Sequence, residues 1–178
     1  MILCLDLETT GLDAEHCGLV EIGACWLHSG ESFFRACRPL PTALIEPAAL
    51  AVNGWTAEKL ADPNLLPEEH AVSEFIGWVR GREANGNARV QIAAWNAHFD
   101  HRHLCAGMDR AGYEELHRPF THRLIDVHSV LAMDEMRRKL PASIFDRNEL
   151  VSFGNEVANC DEAAKLLQMP LDPRPHTA

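Results

Sequence analysis

The sequence predicts a mixed α/β fold, a five-stranded sheet flanked by helices in which three antiparallel strands precede the parallel ones. Two observations carry this. Three strand-like segments come first with no helical stretch between them, and after residue 67 helical and strand-like periodicities alternate, giving the order βββαβαβα. At 47% apolar and 24% charged residues, a 178-residue chain also has the composition of a globular domain able to bury a core. A single domain over 1–178 is therefore expected.

Each element follows from a local pattern. Met1-Ile2-Leu3-Cys4-Leu5 is an apolar run that reads as a buried strand. Gly18 to Leu27 reads as a second strand, His28-Ser29-Gly30-Glu31 as a hairpin turn, and Ser32 to Cys37 as a third strand. Pro39, Pro41 and Pro47 predict an extended loop. Pro67-Glu68-Glu69 opens a helix with acids in its first turn, and Val72, Phe75, Ile76 and Val79 form one apolar stripe along it. Asn85-Gly86-Asn87 is a loop and Val90 to Trp95 a fourth strand. Asn96 to Gly112 begins as a turn and becomes a helix. Leu124-Ile125 is a short fifth strand, followed by a helix from Val127 to Lys139 with Val127, Val130 and Leu131 facing inward. Leu150, Phe153 and Val157 mark a further helix. Asn159 and Glu162 resemble a capping box for a last one.

Charge and cysteine usage narrow the function. The net charge of −10 argues against a long electrostatic footprint on duplex nucleic acid. The first 70 residues hold 11 acids against 3 Lys and Arg, so the imbalance is concentrated there. No apolar segment reaches membrane-spanning length, and no membrane partner is expected. The six cysteines are scattered without a CxxC pair, and the N-terminus lacks a signal-peptide pattern. They read as reduced thiols in a cytoplasmic protein.

Asp6-Leu7-Glu8-Thr9-Thr10-Gly11 is where chemistry enters. On a strand, residues i and i+2 point to the same face, so Asp6 and Glu8 project together where the strand yields to a turn. Two readings stand at this point: a solvated pair or turn cap, and a pair that gathers a hard divalent cation such as Mg²⁺ or Mn²⁺. Two further acids fall at strand ends, Asp100 after the fourth strand and Asp126 after the fifth, where α/β sheets place ligand sites. His98, His101 and His103 match no zinc pattern.

Together these residues resemble a family. Asp6-Leu7-Glu8-Thr9-Thr10-Gly11 is similar to the first motif of the DEDD 3′-5′ exonucleases of the polymerase III epsilon and RNase T type, also called DnaQ-like. Asn96-Ala97-His98-Phe99-Asp100 resembles the second motif, and Ala49 to Thr56 the segment between them. Arg174-Pro175-His176-Thr177-Ala178 resembles the start of the third motif in the histidine (DEDDh) branch.

The resemblance implies an RNase H-like fold and a 3′-5′ exonuclease acting on single-stranded nucleic acid ends, DNA favoured over RNA, with release of nucleoside 5′-monophosphates. It implies that Asp6, Glu8 and Asp100 hold two Mg²⁺ or Mn²⁺ ions, with His176 as general base. It implies that Thr9, Thr10, Gly11, Leu12, Asn96 and Phe99 contact substrate, while Asp126 supports the site. A polymerase or a second copy of the chain is the kind of protein partner implied. The family's fourth metal-binding Asp follows the histidine, and no acid follows His176 here, so the native chain is expected to continue past Ala178. The alternative is a catalytically weak or dead nucleic-acid-binding or interaction module of the same fold.

Overall fold

The computed structural model describes residues 1–82, 89–113, 120 and 123–139. The expected loop at Asn85-Gly86-Asn87 and the two helices expected beyond Pro141 lie outside the described residues. The chain divides into two units, Met1–His128 and Ser129–Ala178.

Strand β1 (Ile2–Thr9) alternates strictly: Leu3, Leu5 and Leu7 are buried while Cys4, Asp6 and Glu8 take the other face. β2 (Leu19–Trp26) pairs antiparallel with β1, and β3 (Ser32–Arg38) antiparallel with β2. The hairpin turn between β2 and β3 falls where expected. It is closed by Gly30 N–H donating to Trp26 O at 2.9 Å, with Gly30 at φ 71°, a conformation that favours glycine.

The segment expected as an extended loop holds three elements instead: α1 (Pro47–Asn53), α2 (Ala57–Leu60) and β4 (Leu66–Pro67). Pro47 occupies the first turn of α1, where its missing N–H costs nothing, and the Thr56 hydroxyl caps α2 by accepting from Lys59 N. β4 pairs parallel with the end of β3, Cys37 opposite Leu66. The sheet is thus six-stranded rather than five-stranded, in the order β4-β3-β2-β1-β5-β6.

Helix α3 (Glu68–Arg80) turns Ala71, Val72, Phe75, Ile76 and Val79 into the core. Phe75 meets Phe33 edge-on at 5.5 Å and stacks with Phe120 at 6.3 Å. β5 (Gln91–Ala94) and β6 (Ile125–Asp126) extend the sheet parallel to β1, so the carboxyl ends of β1, β5 and β6 share one edge. α4 (Ala97–Arg110) leaves β5 after a two-residue turn and packs Leu104 and Met108 inward. α5 (Val127–Lys139) follows β6 directly. Val130 and Leu131, expected to face inward, are exposed.

Among the described residues no helix is long and apolar enough to cross a membrane. The five described cysteines are free thiols.

Candidate active site

The alternation of β1 places Asp6 and Glu8 on the face away from Leu5 and Leu7. Asp6 lies opposite Gly23 of β2, which offers no competing side chain, and Glu8 lies opposite Glu21. Two like charges facing across a ladder repel. Burial, then Asp6, then Glu21 push the Glu8 carboxyl above its ordinary range, and the Asn53 amide opposes them.

Asp100 arrives from the first turn of α4. β5 stops pairing with β1 at Cys4, which leaves the later N–H groups of β1 without a neighbouring strand on that side. Asp100 Oδ1 accepts the Leu7 N–H at 3.0 Å and so replaces the missing strand. The carboxyl is 5% exposed. Burial is the main cause that pushes its pKa up to about 6; the Leu7 N–H resists, and Asp6 and Glu8 push further. Asp6, Glu8 and Asp100 therefore share one electrostatic field. Among the described residues, no three His, Cys, Asp or Glu side chains draw close enough to share an ion.

Thr10, expected to contact substrate, donates its N–H to Gly18 O at 2.9 Å. Its hydroxyl donates to Leu44 O at 2.6 Å and accepts from Gly18 N at 2.9 Å, and the residue is wholly buried. Thr10 thus anchors the turn and has no exposed group for a ligand. Thr9 is also buried, its hydroxyl donating to Gly11 O at 2.7 Å. Gly11 is buried under Cys17 and Glu46, and a Cβ there would stand 2.5 Å from each. Leu12, next along, is 69% exposed.

On the α4 side, Asn96 is exposed and begins the helix without a side-chain cap. Asp126 Oδ2 performs that task from β6, accepting Ala97 N–H at 3.2 Å, which ties the start of α4 to the sheet. Phe99 is half-buried and lies outside the core, its ring 4.1 Å from that of His103. His176 lies outside the described residues.

Several supporting residues escaped the sequence reading. Asn53 Nδ2 donates to Thr9 O at 3.0 Å while its Oδ1 accepts Trp55 N–H at 3.1 Å. Trp55 Nε1 donates to Glu21 Oε1 at 2.9 Å, which ties the segment after α1 to β2. Gly54, at φ 74°, ends α1 and permits the reversal. The visible signal was the Asn53-Gly54 pair, a helix-stop dipeptide. His103 is wholly buried, its Nδ1–H donating to Phe99 O at 3.0 Å, and burial pulls its pKa down. Below the turn, Glu68 Oε1 accepts from Arg110 Nε at 2.8 Å and Nη2 at 2.6 Å, and Arg110 Nη1 donates to Ala14 O at 2.9 Å. Glu68 Oε2 accepts Leu19 N–H at 3.2 Å, so this pair pins the loop between β1 and β2 to both α3 and α4.

The model of the 3′-5′ exoribonuclease Rv2179c-like domain matches residues 1–165. The chain belongs to this exoribonuclease-like family. Its motifs and fold place the family member within the DnaQ-like 3′-5′ exonuclease superfamily. Among curated relatives, Ribonuclease T of Yersinia enterocolitica is 35% identical over 122 residues, 60% of this chain and 54% of its own. Ribonuclease T of Escherichia coli K12 is 33% identical over 116 residues, again 60% and 54%. The chain spans about half the length of these relatives. Among solved structures, E. coli exonuclease I with a dT13 oligonucleotide superposes with TM-score 0.61 at 18% identity, covering 76% of this chain and 29% of that one. Product-bound exonuclease I gives 0.59 at 19%, covering 73% and 30%. At this identity the likeness shows the fold, which is RNase H-like.

Proposed function

We propose that this chain is a metal-dependent 3′-5′ exonuclease that hydrolyses single-stranded nucleic acid from its 3′ end and releases nucleoside 5′-monophosphates. The observation that carries the proposal is the placing of buried Asp100 beside Asp6 and Glu8 at the carboxyl edge of the sheet; burial first, then the two neighbouring acids, push Asp100 up to about 6. A buried carboxyl with two further acids in its field marks a candidate functional site, because ionising it without a counter-cation is costly.

The chemistry of the donors suits hard divalent ions, although the three side chains stand apart in this structure: they are carboxylates, with no sulfur or imidazole among the groups that perturb Glu8 or Asp100. Asp6, Glu8 and Asp100 would hold them. Bound there, Mg²⁺ or Mn²⁺ supplies an activated water and charge stabilisation at the leaving 3′ oxygen.

The remaining residues bind and orient. Leu12 presents an exposed apolar face beside the turn, suited to the terminal base. Asn96 presents its amide at the start of α4, suited to a sugar or phosphate. Asn53 and Thr10 hold β1 and the turn in register beneath them. His176 is assigned as general base by its motif.

RNA moves ahead of DNA as the preferred substrate. The matching family model and the sequence relatives carry ribonuclease names, whereas the exonuclease I likeness supports the fold alone. The open spacing of the carboxylates favours one second reading, strand binding without hydrolysis. Both are tested by following a 5′-labelled single-stranded RNA with Mg²⁺, with Mn²⁺ and in excess chelator. A metal-dependent ladder shortening from the 3′ end supports hydrolysis; retarded but intact RNA supports the second reading.

A further inference from the structure

We propose that Trp95 is a stacking platform for an unpaired base of the strand that enters the candidate active site. This rests on the exonuclease reading and assigns a residue that none of the motifs contains.

Trp95 is 60% exposed, an unusual state for an indole. It occupies the turn between Ala94, the last residue of β5, and Asn96, the residue before α4. The turn is held on both sides. Ala94 pairs with Asp126 in the β5–β6 ladder, and the Asp126 carboxylate accepts the Ala97 N–H. The indole is oriented as well, because His128 meets it in a T-shaped contact at 5.3 Å and 64°. A rigid, exposed aromatic ring loses little freedom when a base settles on it.

The sheet register brings the chain ends of β1 and β5 to one edge. Cys4 of β1 lies beside Ala93 of β5. Two residues onward along each chain are Asp6 and Trp95, so both follow the last pair of the β1–β5 ladder at the carboxyl edge of the sheet. The Asp100 bond to Leu7 holds the next turn of α4 at the same edge.

Charge favours a base over a phosphate as the group held here. The first 70 residues are strongly acidic, and the charged groups that act on Glu8 and Asp100 are other acids, Asp6, Glu21 and Glu8. Such a surface cannot draw its affinity from neutralising many phosphates. Stacking on a π face works without charge and tolerates any base, with purines held more firmly than pyrimidines.

The test measures binding of fluorescein-labelled oligoadenylate and oligouridylate by anisotropy in excess chelator, and KM for both with Mg²⁺. The proteins are the wild type, Trp95→Ala, Trp95→Leu and Trp95→Phe, each with its thermal midpoint measured. The expected result is tighter binding of oligoadenylate by the wild type, and a loss on the order of tenfold in Trp95→Ala and Trp95→Leu. The preference for adenylate should disappear in both, and Trp95→Phe should restore most of it at an unchanged midpoint. Affinities and preferences within twofold of wild type in Trp95→Ala and Trp95→Leu, in an enzyme that still degrades RNA, would overturn the platform alone. A wild type that neither binds nor degrades either strand would overturn the exonuclease reading and the platform with it.

Discussion

Asp100 Oδ1 accepts the backbone N–H of Leu7, 93 residues earlier in the chain, at 3.0 Å. One carboxyl thereby completes the hydrogen bonding of β1 where β5 has ended and delivers negative charge to the edge that carries Asp6 and Glu8. Structure and proposed chemistry meet in this group, and substitutions can separate them. Asp100→Asn keeps an oxygen for Leu7 but removes the charge, so it should fold with wild-type stability or better while losing activity by more than about a hundredfold. Asp100→Ala leaves the Leu7 N–H buried and unpaired, at a cost of about 1–3 kcal/mol. Urea unfolding of both variants alongside a nuclease assay checks the separation.

The same group sets a pH dependence with a definite sign. Its pKa in the folded chain, about 6, lies above the value of about 3.9 expected when unfolded. Between these values the unfolded chain binds fewer protons, so stability falls as pH rises from about 4 to about 6, by on the order of 2 kcal/mol. Chelator-treated wild type should show this slope, and Asp100→Asn should flatten it. Mg²⁺ or Mn²⁺ should bind more tightly as pH rises through about 6, because the ion favours the ionised carboxylate. Thermal unfolding across pH, with and without metal, reads both effects.

The Glu68–Arg110 pair gives a prediction about architecture. Glu68 is buried and Arg110 holds it with two nitrogens while also reaching Ala14 O. Arg110→Met strands a charge beneath the β1–β2 loop and should cost about 3–5 kcal/mol. Replacing Glu68 by Gln in the same chain should recover a large part of that loss, since the stranded charge is then gone. A double-mutant cycle in urea measures the coupling.

Asn53 should matter more to activity than to stability. Its amide joins Thr9 O to Trp55 N and opposes the upward push on Glu8. Asn53→Ala should cost roughly 1 kcal/mol in stability. It should lower activity by on the order of tenfold, through a loosened β1 end and a Glu8 that protonates more readily. Stopped-assay rates over a pH series should show the loss easing as pH rises.

Much of this arrangement was legible in the sequence, for reasons that particular residues make plain. The apolar run Met1 to Leu5 with the two-residue period of a strand gave the shared face of Asp6 and Glu8, and the Val72, Phe75, Ile76, Val79 stripe gave α3, because each pattern spans several residues of one regular element. The Pro39 to Pro67 segment was misread because its elements are too short to show a period. β4 is two residues long, and α1 turns no residue fully into the core. Thr10 was placed at the substrate by its motif, and only the tertiary positions of Leu44 and Gly18 show its groups taken up within the turn. His103 carried no signal of burial, since histidine is at home on either side of a helix. Asp126 sat correctly at a strand end, but its bond to Ala97 follows from where β6 lies beside β5, which local pattern does not encode.

The central claim, that Asp6, Glu8 and Asp100 form the metal-dependent centre of a 3′-5′ exonuclease, is tested most directly by one assay. A 5′-labelled single-stranded RNA is incubated with wild type and with Asp6→Ala, each with Mg²⁺ and in excess chelator, and the products are resolved by length. The account predicts stepwise shortening from the 3′ end by the wild type with Mg²⁺ alone, and intact RNA in the other three reactions. Shortening that persists in chelator, or in Asp6→Ala at the wild-type rate, would contradict it.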